Sequence, residues 1–287
     1  MLTVEDYRRF YAEEIRFVAN LDSEALVEAF ARVPREKFLG AGPWQVGAPE
    51  LRALAAAGMG EAAYVTVDDA RQLYHNVVVV MDAARDINNG QPSALARWIS
   101  ALELKAGDRV FHLGCGTGYY TAIMAEVVGA EGSVLASEFD PSLAVRAREN
   151  LAEYKQVSVQ AGDGAALDPG VCDAMLINAG VTHPHTLWLE RLREGGRLVL
   201  PFTIATSQSI GAGLMTRIVK EPDGYSARGV SPVGIYSCTS LRDAETEALI
   251  RKALTTQALL AVKSLRVDTH EESETCIVHG ESFCLSR

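Results

Sequence analysis

The first hundred residues combine amphipathic helical spacing with one β-branched run. Three segments repeat apolar residues at helical spacing. These predicted helices cover residues 3–19, 23–32 and 93–102. Thr3 and Asp6 are spaced as in a capping box at the start of the first. Residues 75–82 predict a buried strand, whereas residues 40–60 lack a firm period and predict only loop or short helix.

From residue 107 onward, short apolar runs alternate with helical spacing. The predicted strands are residues 109–113, 133–137, 157–161, 174–178 and 196–201. The predicted helices between them are residues 119–128, 143–154 and 186–192. Strands joined by crossovers of this length form a parallel sheet with helices on both faces. The sequence therefore predicts a doubly wound, Rossmann-like α/β fold.

Beyond residue 201 the alternation ends, and the pattern predicts an antiparallel addition. Residues 215–220 and 225–230 flank Glu-Pro-Asp-Gly, a turn signal that indicates a hairpin. The remaining predicted elements are a helix at 245–256 and strands at 265–267 and 276–278. We expect three regions: an N-terminal helical region that contributes to the active site (1–100), a Rossmann-like core (101–214), and a C-terminal hairpin with an extension (215–287).

Composition excludes several classes of function. The 287 residues carry a formal net charge of −10, which argues against a nucleic-acid-binding surface and a polybasic membrane contact. The five cysteines include no CxxC pair, so we expect neither a disulfide framework nor a zinc site. The N-terminal segment lacks the apolar region of a signal peptide, and the longest apolar run, residues 77–81, is too short for a membrane span. We expect a cytoplasmic protein.

The first candidate for chemistry is a glycine-rich loop between an apolar strand and a helix. Gly114, Gly116 and Gly118 follow the strand at GxGxG spacing, and Cys115 adds a small side chain. Tyr119 stands where the dinucleotide motif GxGxxG has its third glycine. The loop therefore suits a nucleoside without a pyrophosphate, and S-adenosylmethionine (SAM) is such a ligand. Taken alone, an ordinary strand–helix turn explains the glycines equally well.

Two acidic residues after the next strands strengthen this interpretation. Glu138 follows the second strand, about twenty residues after the loop, where an acid can accept hydrogen bonds from both ribose hydroxyls. After the third strand, Asp163 can accept from the adenine amino group, and Gly164 lets the ring lie close. The alternatives are a solvated acid and a plain Asp-Gly turn. Because successive strand ends share one crevice, the three features together predict SAM binding.

Further motifs follow one another in order along the chain. They are VPREKF at 33–38, QP at 91–92, GDRV at 107–110, GDG at 162–164, CDA at 172–174 and REGGRLVLP at 193–201. With the glycine loop, they resemble the protein-L-isoaspartate (D-aspartate) O-methyltransferase family over roughly residues 25–240. The resemblance implies a SAM-methyltransferase sheet with terminal additions that shape a peptide site. It also implies SAM as cofactor and methyl transfer to the carboxylate of a damaged aspartyl residue in a protein or peptide.

The chain departs from this family at the active-site serine and in its tail. The family carries Thr-Ile-Ser before a Gln-Pro or Ala-Pro pair, whereas this chain has Asn88, Asn89 and Gly90 before Gln91. Residues 241–287 extend past the usual end of the family. Both departures leave open whether the acceptor is an isoaspartyl residue.

A carboxylate acceptor requires positioning and no base. Carboxylates are ionised at neutral pH, so methyl transfer needs donors that hold one oxygen and a site that excludes water. The amides of Asn88, Asn89 and Gln91 are the predicted catalytic donors. The predicted cofactor-binding residues are Gly90, Gly114, Cys115, Gly116, Gly118, Tyr119, Glu138, Asp163, Gly164 and Asn178.

A hydroxyl or amine acceptor would instead require a base. His183 and His185, after the fourth strand, are the candidates, although solvated histidines in a turn explain them better. Tyr236 and Ser240 are further candidate site residues, with a buried strand as an equal alternative. His75 is better explained as a strand-end residue.

Four functions remain, in order of preference. A carboxyl O-methyltransferase acting on a protein or peptide comes first, and a relative recruited to a small molecule or a dedicated peptide comes second. A SAM-binding module without catalysis is third. A nicotinamide oxidoreductase is last, because Tyr119 replaces the third glycine of its motif.

Overall fold

A computed structural model describes residues 2–48, 51, 54, 58–59, 64–85 and 87–287 of the chain. The α-helices of these residues are α1 (Val4–Ala19), α2 (Glu24–Arg32), α3 (Pro92–Ser100), α4 (Tyr119–Val128), α5 (Pro141–Asn150), α6 (Thr186–Arg191) and α7 (Ala244–Thr255). Short 3-10 helices lie at Arg35–Phe38, Ala70–Leu73, Ala83–Arg85 and Ala258–Ala261. No helix in this part of the chain has the length and apolar character that a membrane span requires.

The strands of the described residues form a small and a large sheet. The small sheet contains β1 (Trp44–Gly47), β2 (Val65–Val67), β3 (Val78–Asp82) and β4 (Ile87–Asn88), in the order β2-β1-β3-β4. The large sheet begins with β5 (Arg109–Leu113), β6 (Ser133–Glu138), β7 (Val157–Ala161), β8 (Cys172–Ile177) and β9 (Leu192–Ala205). It continues with β10 (Ile210–Glu221), β11 (Gly224–Tyr236), β12 (Ser264–Arg266), β13 (Cys276–His279) and β14 (Cys284–Ser286).

The large sheet is wound in two directions. Its strand order is β13-β14-β12-β11-β10-β9-β8-β5-β6-β7. β5 pairs in parallel with β6 on one side and with β8 on the other, and β7 and β9 continue the parallel part. The chain passes from β5 outward to β7 and then returns to β8 on the opposite side of β5. This confirms the predicted doubly wound sheet and places the switch point at the carboxyl ends of β5 and β8.

Helices and loops cover both faces of the large sheet. Val110 of β5 belongs to a buried core with Phe30 of α2 and Ala122 of α4. The next residue, Phe111, belongs to the core on the opposite face, with Trp188 of α6 and with α7. Successive strand residues point to opposite faces, so a strand that is apolar throughout requires cover on both sides.

Side-chain caps set the starts of α1 and α5. Asp6 N–H donates to Thr3 Oγ1 at 3.2 Å, and Thr3 N–H donates to the Asp6 carboxylate at 2.8 Å, which confirms the predicted capping box. Asp140 Oδ1 accepts from the N–H groups of Ser142 and Leu143 at 2.8 and 3.0 Å. This cap starts α5 two residues before the predicted helix.

The residues after 214 extend the large sheet. The predicted boundary at residue 214 falls within β10, and the β10–β11 hairpin is longer than predicted. β12 pairs with β11, and β14 lies between β12 and β13. β3 confirms the strand predicted within residues 75–82, whereas the sequence pattern misses β1, β2, β4 and β14, because strands of two to four residues carry little periodicity. Within residues 40–60, β1 replaces the predicted loop or short helix, and the predicted structure of 49–50, 52–53, 55–57 and 60 lies outside the described residues.

The VPREKF segment fastens the N-terminal helices to the rest of the molecule. The guanidinium of Arg35 is fully buried and donates to three backbone carbonyl oxygens. They belong to Leu73, His75 and Val77, at 2.5, 3.1 and 2.7 Å. The same guanidinium lies over the Tyr11 ring, 5.6 Å from its centroid, and Phe38 packs edge-on against Tyr119. Arg35 and Phe38 of this segment therefore hold the N-terminal helices to the rest of the molecule.

Replacing Arg35 with Lys should lower the free energy of unfolding by about 3 kcal/mol. A lysine ammonium cannot satisfy the fork of carbonyl acceptors that the guanidinium serves, and buried acceptors without partners are costly. Arg32→Lys is the control, because this side chain is 64% exposed and contacts carboxylates only at 3.9 and 3.8 Å. Urea unfolding measures both variants, and equal losses would contradict the anchoring role of Arg35.

Candidate active site

The glycine loop leaves β5 at the switch point. Gly114, Gly116 and Gly118 have φ angles of 76°, 57° and 95°. A Cβ on Gly114 would lie 2.9 Å from the Asn178 carbonyl oxygen, and one on Gly118 would lie 2.7 Å from Leu151 Cδ1. A Cβ on Gly116 would meet no described atom within 4 Å. The outer glycines permit close packing, whereas the middle glycine faces open space that a ligand can occupy.

Cys115 and Tyr119 point into the protein and do not line this space. Cys115 is 6% exposed, and burial raises the pKa of its thiol. The Tyr119 ring is 2% exposed and packs edge-on against Phe30 and Phe38. The ring therefore faces away from the open space, and the predicted role of Tyr119 in cofactor binding stays a prediction. At the first position of α4, its ring faces the N-terminal helices and contributes to their core.

Glu138 lies beneath the glycine loop. One carboxylate oxygen accepts from Gly116 N–H at 2.7 Å, and the other accepts from Asp140 N–H at 3.0 Å. Glu138 is 8% exposed, and burial raises the pKa of its carboxyl, while these backbone hydrogen bonds oppose the rise. A carboxylate offers about four lone-pair sites, so it can accept further donors such as ribose hydroxyls. The structure excludes a solvated acid at this position.

Asp163 and Gly164 follow β7 and lie beside Glu138. The Glu138 carbonyl oxygen accepts from Gly162 N–H at 2.8 Å. Asp163 Oδ1 accepts from Ala165 N–H at 2.9 Å, which is the alternative Asp-Gly turn and engages one carboxylate oxygen. A Cβ on Gly164 would lie 2.3 Å from Ser137 Oγ. Packing against β6 therefore requires this glycine, and its expected role beside adenine stays a prediction.

Asn178 closes the other side of the switch point. Its Nδ2 donates to the Gly114 carbonyl oxygen at 3.1 Å, and its N–H donates to the Leu113 carbonyl oxygen at 2.8 Å. Two residues later, Gly180 N–H donates to the Tyr236 carbonyl oxygen at 2.6 Å. The loop after β8 thus brings the end of β11 to the same edge of the sheet.

A segment of residues 82–91 lies against this edge. Tyr120 OH, in the first turn of α4, donates to the Gly90 carbonyl oxygen at 3.3 Å. Arg85 forms an ion pair with Asp140, close to Glu138 in the chain, and its carbonyl oxygen accepts from Tyr236 OH. The described residues of the 82–91 segment are therefore held beside the glycine loop, the Glu138 loop and the C-terminal hairpin.

The three predicted amide donors differ in their partners. Asn88 Oδ1 accepts from Gly90 N–H at 2.9 Å. Asn89 Oδ1 accepts from Val79 N–H at 2.8 Å, while Asn89 Nδ2 is buried without a hydrogen-bond partner among the described residues. Gln91 Nε2 donates to a serine hydroxyl at 3.1 Å. Asn89 is thus the buried donor with unused capacity.

The backbone at Gly90 is unfavourable for the serine of the family. Gly90 has a φ of 77°, and a Cβ there would lie 2.9 Å from Leu95 Cδ2. The nearby Ser93 is 6% exposed and accepts from Gln91 Nε2. The change of sequence at 88–90 therefore coincides with a backbone suited to glycine.

The candidate bases have different environments. His185 Nδ1 accepts from Leu187 N–H at 3.1 Å and caps α6, which corrects its candidacy as a base. His183 Nδ1 lies 3.0 Å from Thr182 Oγ1, and burial lowers the pKa of His183, so its ring is neutral at neutral pH. His75 is exposed and precedes β3, as the strand-end interpretation predicts.

Sequence analysis missed three residues at this edge. Arg85 and Tyr120 show no local signal, because their partners lie far away in the chain. Phe139 directly follows Glu138 and is 65% exposed. An aromatic residue directly after an acidic residue at a strand end is a sequence pattern that indicates a surface for a nucleotide base. The predicted Ser240 lies 3.5 Å from Cys238 Sγ, next to the end of β11.

The residues at this edge fit SAM. Open space faces Gly116, and Glu138 retains acceptor sites below it. Ser137 Oγ is buried without a hydrogen-bond partner among the described residues. Phe139 adds exposed aromatic surface. This donor and acceptor set suits a nucleoside, and together with the sheet order it defines a class I SAM-dependent methyltransferase.

Comparison with known proteins identifies the family. The sequence profile of "Protein-L-isoaspartate(D-aspartate) O-methyltransferase (PCMT)" matches residues 53–229. A protein-L-isoaspartate O-methyltransferase from Ignicoccus hospitalis is 30% identical over 234 residues, covering 80% of this chain and 96% of its own. One from Methanothrix thermoacetophila is 32% identical over 195 residues, covering 65% and 78%. The chain belongs to the protein-L-isoaspartate (D-aspartate) O-methyltransferase family, and its cofactor is SAM.

Solved structures agree on the fold. A protein-L-isoaspartate O-methyltransferase structure aligns with a TM-score of 0.62 at 20% identity, covering 85% of this chain and 69% of its own. A Plasmodium falciparum structure described as a beta-aspartate methyltransferase, in complex with S-adenosyl-L-homocysteine, aligns with a TM-score of 0.57 at 17% identity. It covers 81% of this chain and 98% of its own. At these identities the likeness confirms the predicted fold.

Replacing Glu138 with Gln should weaken SAM binding by about 1–3 kcal/mol, the range for hydrogen bonds to a charged acceptor. Titration calorimetry measures the change. Unchanged affinity would mean that the ribose lies elsewhere.

The same carboxylate should make SAM affinity depend on pH. Donors bound to ionised Glu138 lower its pKa, so affinity must fall as the pH drops through the raised pKa of the free enzyme. The wild-type affinity should fall at a higher pH than an ordinary glutamate would give, and Glu138→Gln should remove that step. Calorimetry over a pH series tests both, and an identical step in the variant would contradict the assignment.

Gly116→Val should abolish SAM binding, because its side chain would enter the open space. Gly195→Val is a matched control. Gly195 has a φ of 71° and no described atom within 4 Å of an added Cβ, but it lies near the start of β9, at the opposite edge of the sheet. Both variants carry similar backbone strain, so equal losses of binding would point to strain instead of obstruction.

Proposed function

We propose that the chain transfers a methyl group from SAM to the carboxylate of an isoaspartyl residue in a protein or peptide. Family membership supports this acceptor class. The single observation that carries the proposal is the buried Nδ2 of Asn89, which has no hydrogen-bond partner in the part of the chain that the structure describes and lies near the first turn of α4. This amide lies in the stretch that immediately precedes the family's Gln-Pro pair.

A carboxylate acceptor matches the chemistry of these residues. Its pKa lies near 4, so it is ionised and nucleophilic at neutral pH without a base. When bound, SAM supplies an electrophilic methyl group on a sulfonium. The protein has to hold one carboxylate oxygen, align the acceptor and exclude water. His185 is used as a helix cap, which agrees with a reaction that needs no base.

Asn89 is the residue best suited to hold the acceptor. Val79 N–H fixes the carbonyl end of its amide, so the orientation of Nδ2 is also fixed. A buried N–H without a partner costs free energy, and a carboxylate oxygen of the substrate would satisfy it. Asn88 and Gln91 use their amides to brace the segment, through Gly90 N–H and a serine hydroxyl.

A second candidate function is methylation of a dedicated peptide or a small-molecule acid. The sequence Asn88-Asn89-Gly90 in place of the family's Thr-Ile-Ser favours it, and the positive φ of Gly90 suits glycine better than serine. This candidate uses the same cofactor site and the same amide donors. Only the identity of the acceptor separates it from isoaspartyl methylation.

Incubation with methyl-labelled SAM and an isoaspartyl peptide should yield a methyl ester that mild alkali releases. The aspartyl peptide of identical sequence is the control and should remain unlabelled. Label that survives alkali would contradict carboxyl methylation. A cell lysate is incubated with labelled SAM in parallel. Label on a component of the lysate, with none on the isoaspartyl peptide, would favour the second candidate.

Asn89→Asp should lower kcat/KM on the accepted substrate by about 10- to 100-fold, because it replaces a donor by a negative charge next to the acceptor. The change preserves size and the oxygen that accepts from Val79 N–H. The SAM dissociation constant should stay within error of wild type, while the melting temperature should fall because the new carboxylate is partly buried. A parallel loss of SAM affinity would instead assign Asn89 to the cofactor site.

A further inference from the structure

Four metal-binding side chains meet at the far end of the large sheet from the SAM site. They are His270, Cys276, His279 and Cys284, which we call the tail cluster. One nitrogen or sulfur atom from each lies within 4.8 Å of those of the other three. The sequence predicted no zinc site, because its cysteines form no CxxC pair. The actual spacing is H-x5-C-x2-H-x4-C, in which histidines supply half of the ligands.

The β13–β14 hairpin holds three members of the tail cluster. His279 and Cys284 are paired directly across the two strands, and Cys276 lies at the start of β13. His270 reaches back from the preceding loop, with Nε2 3.7 Å from Cys276 Sγ. The rings of the two histidines meet edge to face, with centroids 4.8 Å apart. The fold thus joins a loop and a hairpin at one point.

The histidine nitrogens are arranged as in metal sites. His270 Nδ1 lies 2.9 Å from the Asp268 carbonyl oxygen, which can only accept, so Nδ1 carries the hydrogen. The Nε2 lone pair is then directed toward Cys276, and such an outer hydrogen bond commonly orients a metal-binding histidine. His279 Nδ1 is buried without a hydrogen-bond partner among the described residues. A ligand in the cluster would account for this atom.

The cysteine sulfurs also have suitable surroundings. Ser273 donates its N–H to Cys276 Sγ at 3.4 Å, and its hydroxyl lies 3.5 Å from the same sulfur. Cys284 is 1% exposed, and its sulfur lies 3.2 Å from Ser286 Oγ. Hydrogen-bond donors around sulfur favour the thiolate, which is the form that binds metals.

We propose that the tail cluster binds one Zn²⁺ ion. Two cysteines and two histidines are a ligand set of structural zinc, and thiolates disfavour Ca²⁺ and Mg²⁺. Ligands of a tetrahedral zinc ion lie roughly 3–4 Å apart, so the cluster closes on an ion with side-chain shifts of about 1 Å. The protein fills all four positions. The site is therefore structural, with no position left for a substrate.

The ion would fasten the tail to the sheet edge. It would connect the loop that carries His270 to β13 and β14, and β14 in turn pairs with β12. A cavity of about 170 Å³ between α7 and β13 is lined by Cys276 and His279, together with Lys252 and Glu272. This cavity provides an entry path for the ion.

Mass spectrometry of the metal content tests the proposal. Protein purified through a tag without histidines should contain about one Zn²⁺ per chain. Cys284→Ser and His270→Ala should each reduce bound zinc about tenfold or more. Cys172→Ser is the matched control, because this buried thiol is far from the tail cluster and donates to backbone carbonyl oxygens in the loop before β8, and the variant should retain the metal.

Two measurements on the wild-type chain keep the test independent of whether the variants fold. Chelator-stripped protein should bind added Co²⁺ stoichiometrically with the visible bands of a tetrahedral thiolate site, and its melting temperature should rise by about 5 °C with Zn²⁺. All five thiols should titrate after denaturation with chelator. A missing pair of thiols would identify a disulfide, and stripped protein that binds neither ion would likewise overturn the proposal. SAM binding is measured separately.

Discussion

The parallel pairing of β5 with both β6 and β8 is the constraint on which the rest of the structure depends. Connections from the two neighbours leave in opposite directions, so their loops separate and leave an opening above β5. The hydrogen bond from Gly116 N–H to Glu138 spans this opening at its base. Asn178 ties the loop to β8 from the other side. Both contacts depend on the strand order, and neither would survive a different one.

Local pattern predicted the central α/β region well and the surrounding parts less well. β5 has its predicted bounds, and α5 begins earlier only because Asp140 provides a cap. β3 was predicted within residues 75–82, whereas β1, β2, β4 and β14 were missed, since strands of two to four residues carry little periodicity. The direction of the Tyr119 ring could not be derived either, because it depends on helices that precede it by many residues. The tail cluster was not predicted, because the CxxC pattern considers cysteines alone and two of the four side chains are histidines.

The VPREKF segment, the most specific motif of the family, has a structural role in this protein. Arg35 is buried among backbone carbonyl oxygens, and Phe38 packs against Tyr119 at the first turn after the glycine loop. The motif therefore holds the N-terminal helices over the sheet and positions the 82–91 segment indirectly. The motif thus serves the scaffold, and the predicted amide donors Asn88, Asn89 and Gln91 lie in a different part of the chain.

The backbone of Gly90 makes two neighbouring positions interdependent. A side chain at this position requires an unfavourable φ and displacement of Leu95. The free-energy effects of substitutions at Gly90 and Leu95 would therefore not be additive, because the space that one residue occupies sets the space left for the other.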